Sequence, residues 1–145
     1  MDQSRARETG DRRVTVFFYG LFMDLELLRG KALAPMNPRR ARVGGLRLRI
    51  GDRAALEEAA GSEVYGFVVE LTHAEIELLY REPSVAVYRP EAVVAEPEDG
   101  SPVAALCFNL PSAPDPSQQN PGYARQLREL ATRLGLPGHY VESIG

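Results

Sequence analysis

The run Val14-Thr15-Val16-Phe17-Phe18-Tyr19, ended by Gly20, restricts the fold more than any other part of the chain. β-Branched and aromatic residues follow one another with no clean polar alternation, so this strand needs cover on both faces before it is stable. Two further runs can supply neighbours: Val64 to Leu71 and Val103 to Phe108. The segment Arg40 to Ile50 is different, because Leu46, Leu48 and Ile50 alternate with Arg47 and Arg49, the pattern of a strand with one wet face. A last strand is expected over Val85 to Ala95, forming a hairpin with Val103 to Phe108 across Glu96-Pro97-Glu98-Asp99-Gly100.

Helical signals punctuate these strands. Asp24 starts a short turn that Gly30 stops, and Thr72-His73-Ala74-Glu75 has the capping-box spacing that opens a helix carrying Ile76, Leu78, Leu79 and Tyr80. Asn120-Pro121 offers a cap and a first-turn proline. Tyr123, Leu127, Leu130, Ala131 and Leu134 follow on one stripe that is best used against the sheet. Strands mixed with helices, without a repeating βα unit, make the chain an α+β protein.

The length of 145 residues suits one domain around one pocket. Residues 1–13 read as a flexible polar tail and residues 14–145 as the domain. That tail has no apolar stretch resembling a signal peptide, and no segment approaches membrane-spanning length, so the reading is a cytoplasmic protein. A net charge of -3 offers no footprint for nucleic acid. Cys107 is the sole cysteine and lies in an apolar run, as a buried structural thiol would. A homodimer is compatible with the sequence, but no patch marks one.

Most catalytic patterns are missing. His73 and His139 share no metal-ligand spacing with the acids, so neither metal nor cofactor is expected, and there is no glycine-rich phosphate loop or Gly-x-Ser-x-Gly elbow. What remains is the strand end at Tyr19-Gly20 and one acid, Glu82, set among Leu78, Leu79, Tyr80, Pro83 and Val85. A carboxylate pushed toward that apolar surround would be a proton-transfer group of raised pKa; one paired with Arg81 or Arg89 at a surface turn would be merely solvated.

The order of these features resembles the gamma-glutamylcyclotransferase-like family. That family has a first strand ending in a Tyr-Gly-Ser/Thr loop, a Leu-Asp-x-x-Glu-Gly segment after a helix, a Tyr and Arg shortly beyond it, and a late Gly-Leu-Pro-x-x-Tyr. The counterparts here are Tyr19-Gly20-Leu21-Phe22, Leu78-Leu79-Tyr80-Arg81-Glu82-Pro83, Tyr88-Arg89, and Gly135-Leu136-Pro137-Gly138-His139-Tyr140, with Asn120-Pro121-Gly122-Tyr123 opening the long helix. The likeness runs through nearly everything from Val14 onward. It implies a small mixed β-barrel flanked by helices and a cavity for a small-molecule γ-glutamyl amide. Such a family enzyme releases 5-oxoproline: the substrate's own α-amine attacks its γ-carbonyl, and one carboxylate moves the proton. The resemblance assigns that acid/base role to Glu82 and substrate binding to Tyr19, Gly20, Leu21, Phe22 and Tyr88, with Tyr88 equally readable as core packing.

Three positions depart from the family pattern. Leu21 replaces the small hydroxyl residue of the loop, Leu79 the aspartate and Pro83 the glycine. Leu21 keeps its backbone N–H, but Pro83 restricts the backbone of Glu82 and so alters the aim of its carboxylate. The sequence therefore leaves two readings: a cyclotransferase with an altered substrate, or a family member of lost or changed chemistry that binds small molecules or protein partners.

Overall fold

In the computed structural model, which describes residues 12–145, the opening apolar run is β1 (Arg13–Phe18), buried along its second half. Of the expected tail, residues 1–13, all but the last two positions lie outside the described residues, and Arg13 already pairs with Thr72 in the sheet. The other strands are β2 (Met36–Ile50), β3 (Ala54–Thr72), β4 (Arg89–Pro97) and β5 (Val103–Asn109). They close into a barrel in the order β1-β3-β2-β4-β5. Closure comes from a parallel bridge, Val16 to Leu106, while the other pairings are antiparallel, so the barrel is mixed. It leaves β1 paired along both edges, with β3 and β5.

Two strands outrun what their sequences suggested. β2 starts at Met36, and β3 takes in residues 54–63, whose alanines and glutamates carry no strand signature. They become strand because a hairpin partner is present: Ile50 pairs with Ala54 and Leu46 with Glu58. The pairing then slips between Gly44 and Leu46, and Gly45 and Gly61 absorb the irregularity at φ of 80° and 81°. On the other side, the strand expected from Val85 begins only at Arg89. Residues 85–88 belong to tight turns closed by Val85 N–H to the Glu82 carbonyl (3.0 Å) and Tyr88 N–H to the Val85 carbonyl (3.1 Å).

Helices cover the barrel. A single 3₁₀ turn, Leu21–Met23, leads into α1 (Leu25–Gly30), with Asp24 capping Glu26 N–H at 3.0 Å. α2 (His73–Leu79) opens on the expected capping box, Thr72 with Glu75. α3 (Pro121–Arg133) is capped by Asn120 and buries Ala124, Leu127, Leu130 and Ala131, which makes its apolar stripe core. A short α4 (Gly138–Ser143) follows and buries Tyr140. Among the described residues no helix is long and apolar enough to cross a membrane.

Candidate small-molecule site

Where β1 runs out, the chain walls a small cavity open to solvent. Phe17, Phe18, Tyr19, Gly20, Leu21 and Phe22 form one side of it. Arg53 and Ala54, at the start of β3, form the second; Tyr80, Val85 and Tyr88 the third; Phe108 and Tyr123 complete it. Of the expected site residues, Tyr19, Gly20, Leu21, Phe22 and Tyr88 all line this cavity.

Glu82 does not line it. Its carboxylate accepts a hydrogen bond from Lys31 Nζ, just past α1, and its side chain remains 44% exposed. The expected desolvation of this acid is thus not met. Helical spacing accounts for the outcome: Ile76, Leu79 and Tyr80 follow the i, i+3, i+4 stripe of α2 into the interior, and Glu82, two positions on, has left that stripe. The bond before Pro83 is trans.

Tyr80 takes the place in the wall that sequence reasoning gave to Glu82. Its ring stacks on Phe108 with centroids 4.1 Å apart and meets Phe22 edge-on at 5.8 Å. Phe22 in turn stands edge-on to Phe18 at 5.9 Å. These contacts fix the aromatic rings of the wall against one another.

The cavity's polar groups fall into two sets. Tyr19 O–H donates to the Phe108 carbonyl at 2.8 Å, and Tyr88 O–H donates to the Ala54 carbonyl. Those hydroxyls serve the architecture. Tyr80 O–H has no partner among the described residues, and Tyr123 presents its oxygen to the backbone N–H groups of Leu21 and Ala54. Burial pushes the phenols of Tyr19, Tyr80, Tyr88 and Tyr123 above their ordinary pKa, so all four stay protonated at neutral pH. The Leu21 and Ala54 N–H groups only partly oppose the effect at Tyr123.

Two asparagines hold this arrangement. Asn109, the one buried polar residue of the described core, donates from Nδ2 to the Leu56 carbonyl and accepts from the Leu56 and Leu110 N–H groups, each at 2.9 Å. It ties the end of β5 to β3 near Ala54. Asn120 accepts the Tyr123 N–H at 3.1 Å and donates to the Asp52 carbonyl at 2.8 Å, which binds the start of α3 to the β2–β3 turn. Tyr123 is thereby brought over Gly20, where a Cβ would lie 2.9 Å from its hydroxyl.

Outside the cavity, the remaining candidates fall as follows. Cys107 is buried, and its thiol is pushed up to about 12 by burial and then by Glu91, which leaves it inert as a nucleophile. His73 and His139 are exposed. No group of three or more potential metal ligands gathers among the described residues. Arg89 bonds the Ala86 and Tyr88 carbonyls and stays structural.

Sequence reasoning missed Tyr80, Tyr123 and Arg53 as wall residues. The stripe of α2 was a signal for Tyr80. For Tyr123 the stripe pointed only to packing, and for Arg53 nothing local marked it.

A closed barrel with a cavity at the end of β1 defines the gamma-glutamylcyclotransferase-like fold. The chain superposes on a gamma-glutamyl cyclotransferase with a TM-score of 0.76 at 18% identity, covering 92% of this chain and 86% of that one. It also matches an uncharacterized protein from Homo sapiens (TM-score 0.73, 20% identity, 92% and 87% covered). An AIG2-like protein from Mus musculus is similar as well (TM-score 0.53, 16% identity, 89% and 87% covered). No protein-family model and no curated protein matches the sequence.

Proposed function

We propose that this chain is a gamma-glutamylcyclotransferase-like protein that uses the cavity to bind a small molecule, with the family's cyclisation chemistry lost or changed. One observation carries the reading: among the described residues no carboxylate lines the cavity, and Glu82 is engaged with Lys31 outside it. Cyclisation of a γ-glutamyl amide requires a base to take the proton of the attacking amine. The four tyrosines are protonated donors and Arg53 is a cation, so none of them serves as that base.

The family motif supports the same reading when it is set two residues earlier. Over Ile76-Glu77-Leu78-Leu79-Tyr80-Arg81 an apolar residue and an acid hold its first two places, and Tyr80 then stands at the glutamate position. That register agrees with Tyr80, rather than Glu82, reaching the cavity.

The test is 5-oxoproline release from a panel of γ-glutamyl amides by the wild type and by Glu82→Gln. Neither protein is expected to release it above the uncatalysed background. Release by the wild type that Glu82→Gln abolishes would overturn the proposal and restore Glu82 as the acid/base.

A further inference from the structure

Among the described residues, the charge in the cavity wall is of one sign: Arg53 is its one ionised group. The carbonyls of Ala54 and Phe108 each already accept one hydrogen bond, from Tyr88 and Tyr19. Donors stand free beside them. Tyr80 O–H has no partner among the described residues, and the oxygen of Tyr123 faces two N–H groups, which leaves its proton to give. Arg53, a half-buried residue of the wall, makes no ion pair among the described residues. It stands near enough to Tyr88 and Tyr123 to act on both their phenols. Asp52, the neighbouring acid, also acts on the Tyr88 phenol, but it is exposed and is not part of the wall.

A cation or a free amine entering here finds no charged acceptor. A neutral apolar molecule leaves Tyr80 O–H and the Arg53 guanidinium unanswered and partly desolvated, at a cost. An anion answers both: a carboxylate takes paired N–H bonds from a guanidinium and a further bond from a phenol. The rest of the wall, Phe18, Leu21, Phe22, Val85 and Phe108, is apolar and suits a flat or aliphatic body.

Building on the binding-module reading above, we propose that the ligand is a small carboxylate with an apolar or aromatic body, its anionic end held by Arg53 and Tyr80 and its body set among Phe18, Phe22 and Phe108. Arg53 is the residue that sets the charge preference, and Tyr80 fixes the direction of approach.

Phenylacetate and its neutral isostere phenylacetamide, titrated into the full chain and followed by amide and tyrosine-ring NMR shifts, test this directly. The wild type is expected to bind phenylacetate at least about tenfold more tightly than the amide, the scale of a charge-assisted hydrogen-bonded pair. Arg53→Gln is expected to lose that preference, with Arg53→Lys intermediate because the point charge survives and the fork does not. Equal binding of both probes by the wild type, with shifts at Tyr80 and Tyr123, would overturn the anion inference and leave the binding pocket standing. Shifts confined to residues outside the cavity would overturn both. An unchanged melting temperature for Arg53→Gln separates loss of recognition from loss of fold.

Discussion

The outer face of the barrel and the wall of its cavity treat charge in opposite ways. Outside, four of the five arginines on β2 are answered by glutamates, Arg39 being the exception: Arg40 Nε reaches Glu98 at 2.7 Å, Arg42 Nε reaches Glu96 at 3.0 Å, and both Arg47 and Arg49 meet Glu57. At the cavity, one turn beyond the end of that same strand, Arg53 has no such partner among the described residues. Pairing on the outer face neutralises a solvated surface, where each pair adds little because water already screens it. Leaving an arginine unanswered beside protonated tyrosines does the reverse, and under the proposal above it keeps that cation open to an anionic ligand.

If burial rather than charge decides what each polar group contributes, substitutions should rank by depth. Asn109→Ala comes first: it strips the Leu56 N–H and carbonyl and the Leu110 N–H of their partners, and a loss of about 2–4 kcal/mol is expected in chemical denaturation. A smaller loss would show that water enters behind Phe108 and that the cavity floor is less closed than its packing indicates.

Glu75 lies between the two regions. Burial works to raise its pKa, but N–H groups of Thr72 (2.8 Å) and Ala34 (2.6 Å), with Arg13 beyond, hold the carboxyl below the usual glutamate value. Glu75→Gln should cost about 1–2 kcal/mol at neutral pH. Because the folded pKa is the lower one, the charged form's advantage is complete above the unfolded value of about 4.3 and disappears as pH falls through the folded value. Melting curves of the two proteins should therefore converge in acid; a constant gap down to pH of about 2 would mean shape rather than charge is at stake.

The smallest effect is reserved for Lys31→Gln. Its pair with Glu82 is a surface contact, so a change under about 1 kcal/mol is expected, shrinking further in high salt. A change as large as that of Asn109→Ala would erase the contrast between outer face and cavity.

Much of this organisation was present in local patterns. β1, the Thr72 capping box, the Asn120 cap and the stripe of α3 each obey short-range rules, and the structure reproduces them. Residues 54–63 do not: alanine and glutamate say nothing of a strand, and only pairing with residues 44–50 makes them one. The loop Tyr19 to Phe22 was legible as a cavity wall because a buried strand must end somewhere accessible. Glu82 misled because apolar neighbours in sequence are not neighbours in space once a helix has ended. Arg53 was illegible for a related reason, since a lone arginine becomes distinctive only when it proves to line a cavity and to have no ion-pair partner among the described residues.

Gly20 adopts an extended backbone, φ −115° and ψ −151°, that any residue can take. What crowds a side chain there is the hydroxyl of Tyr123, 2.9 Å from where a Cβ would sit, more than a hundred positions along the chain. The two sites are therefore expected to vary together. Among relatives, a chain that trades the ring at 123 for something shorter is released to carry alanine or serine at 20, whereas one that keeps the tyrosine has to move its hydroxyl to admit either. Anyone redesigning the cavity has to treat positions 20 and 123 as a single choice.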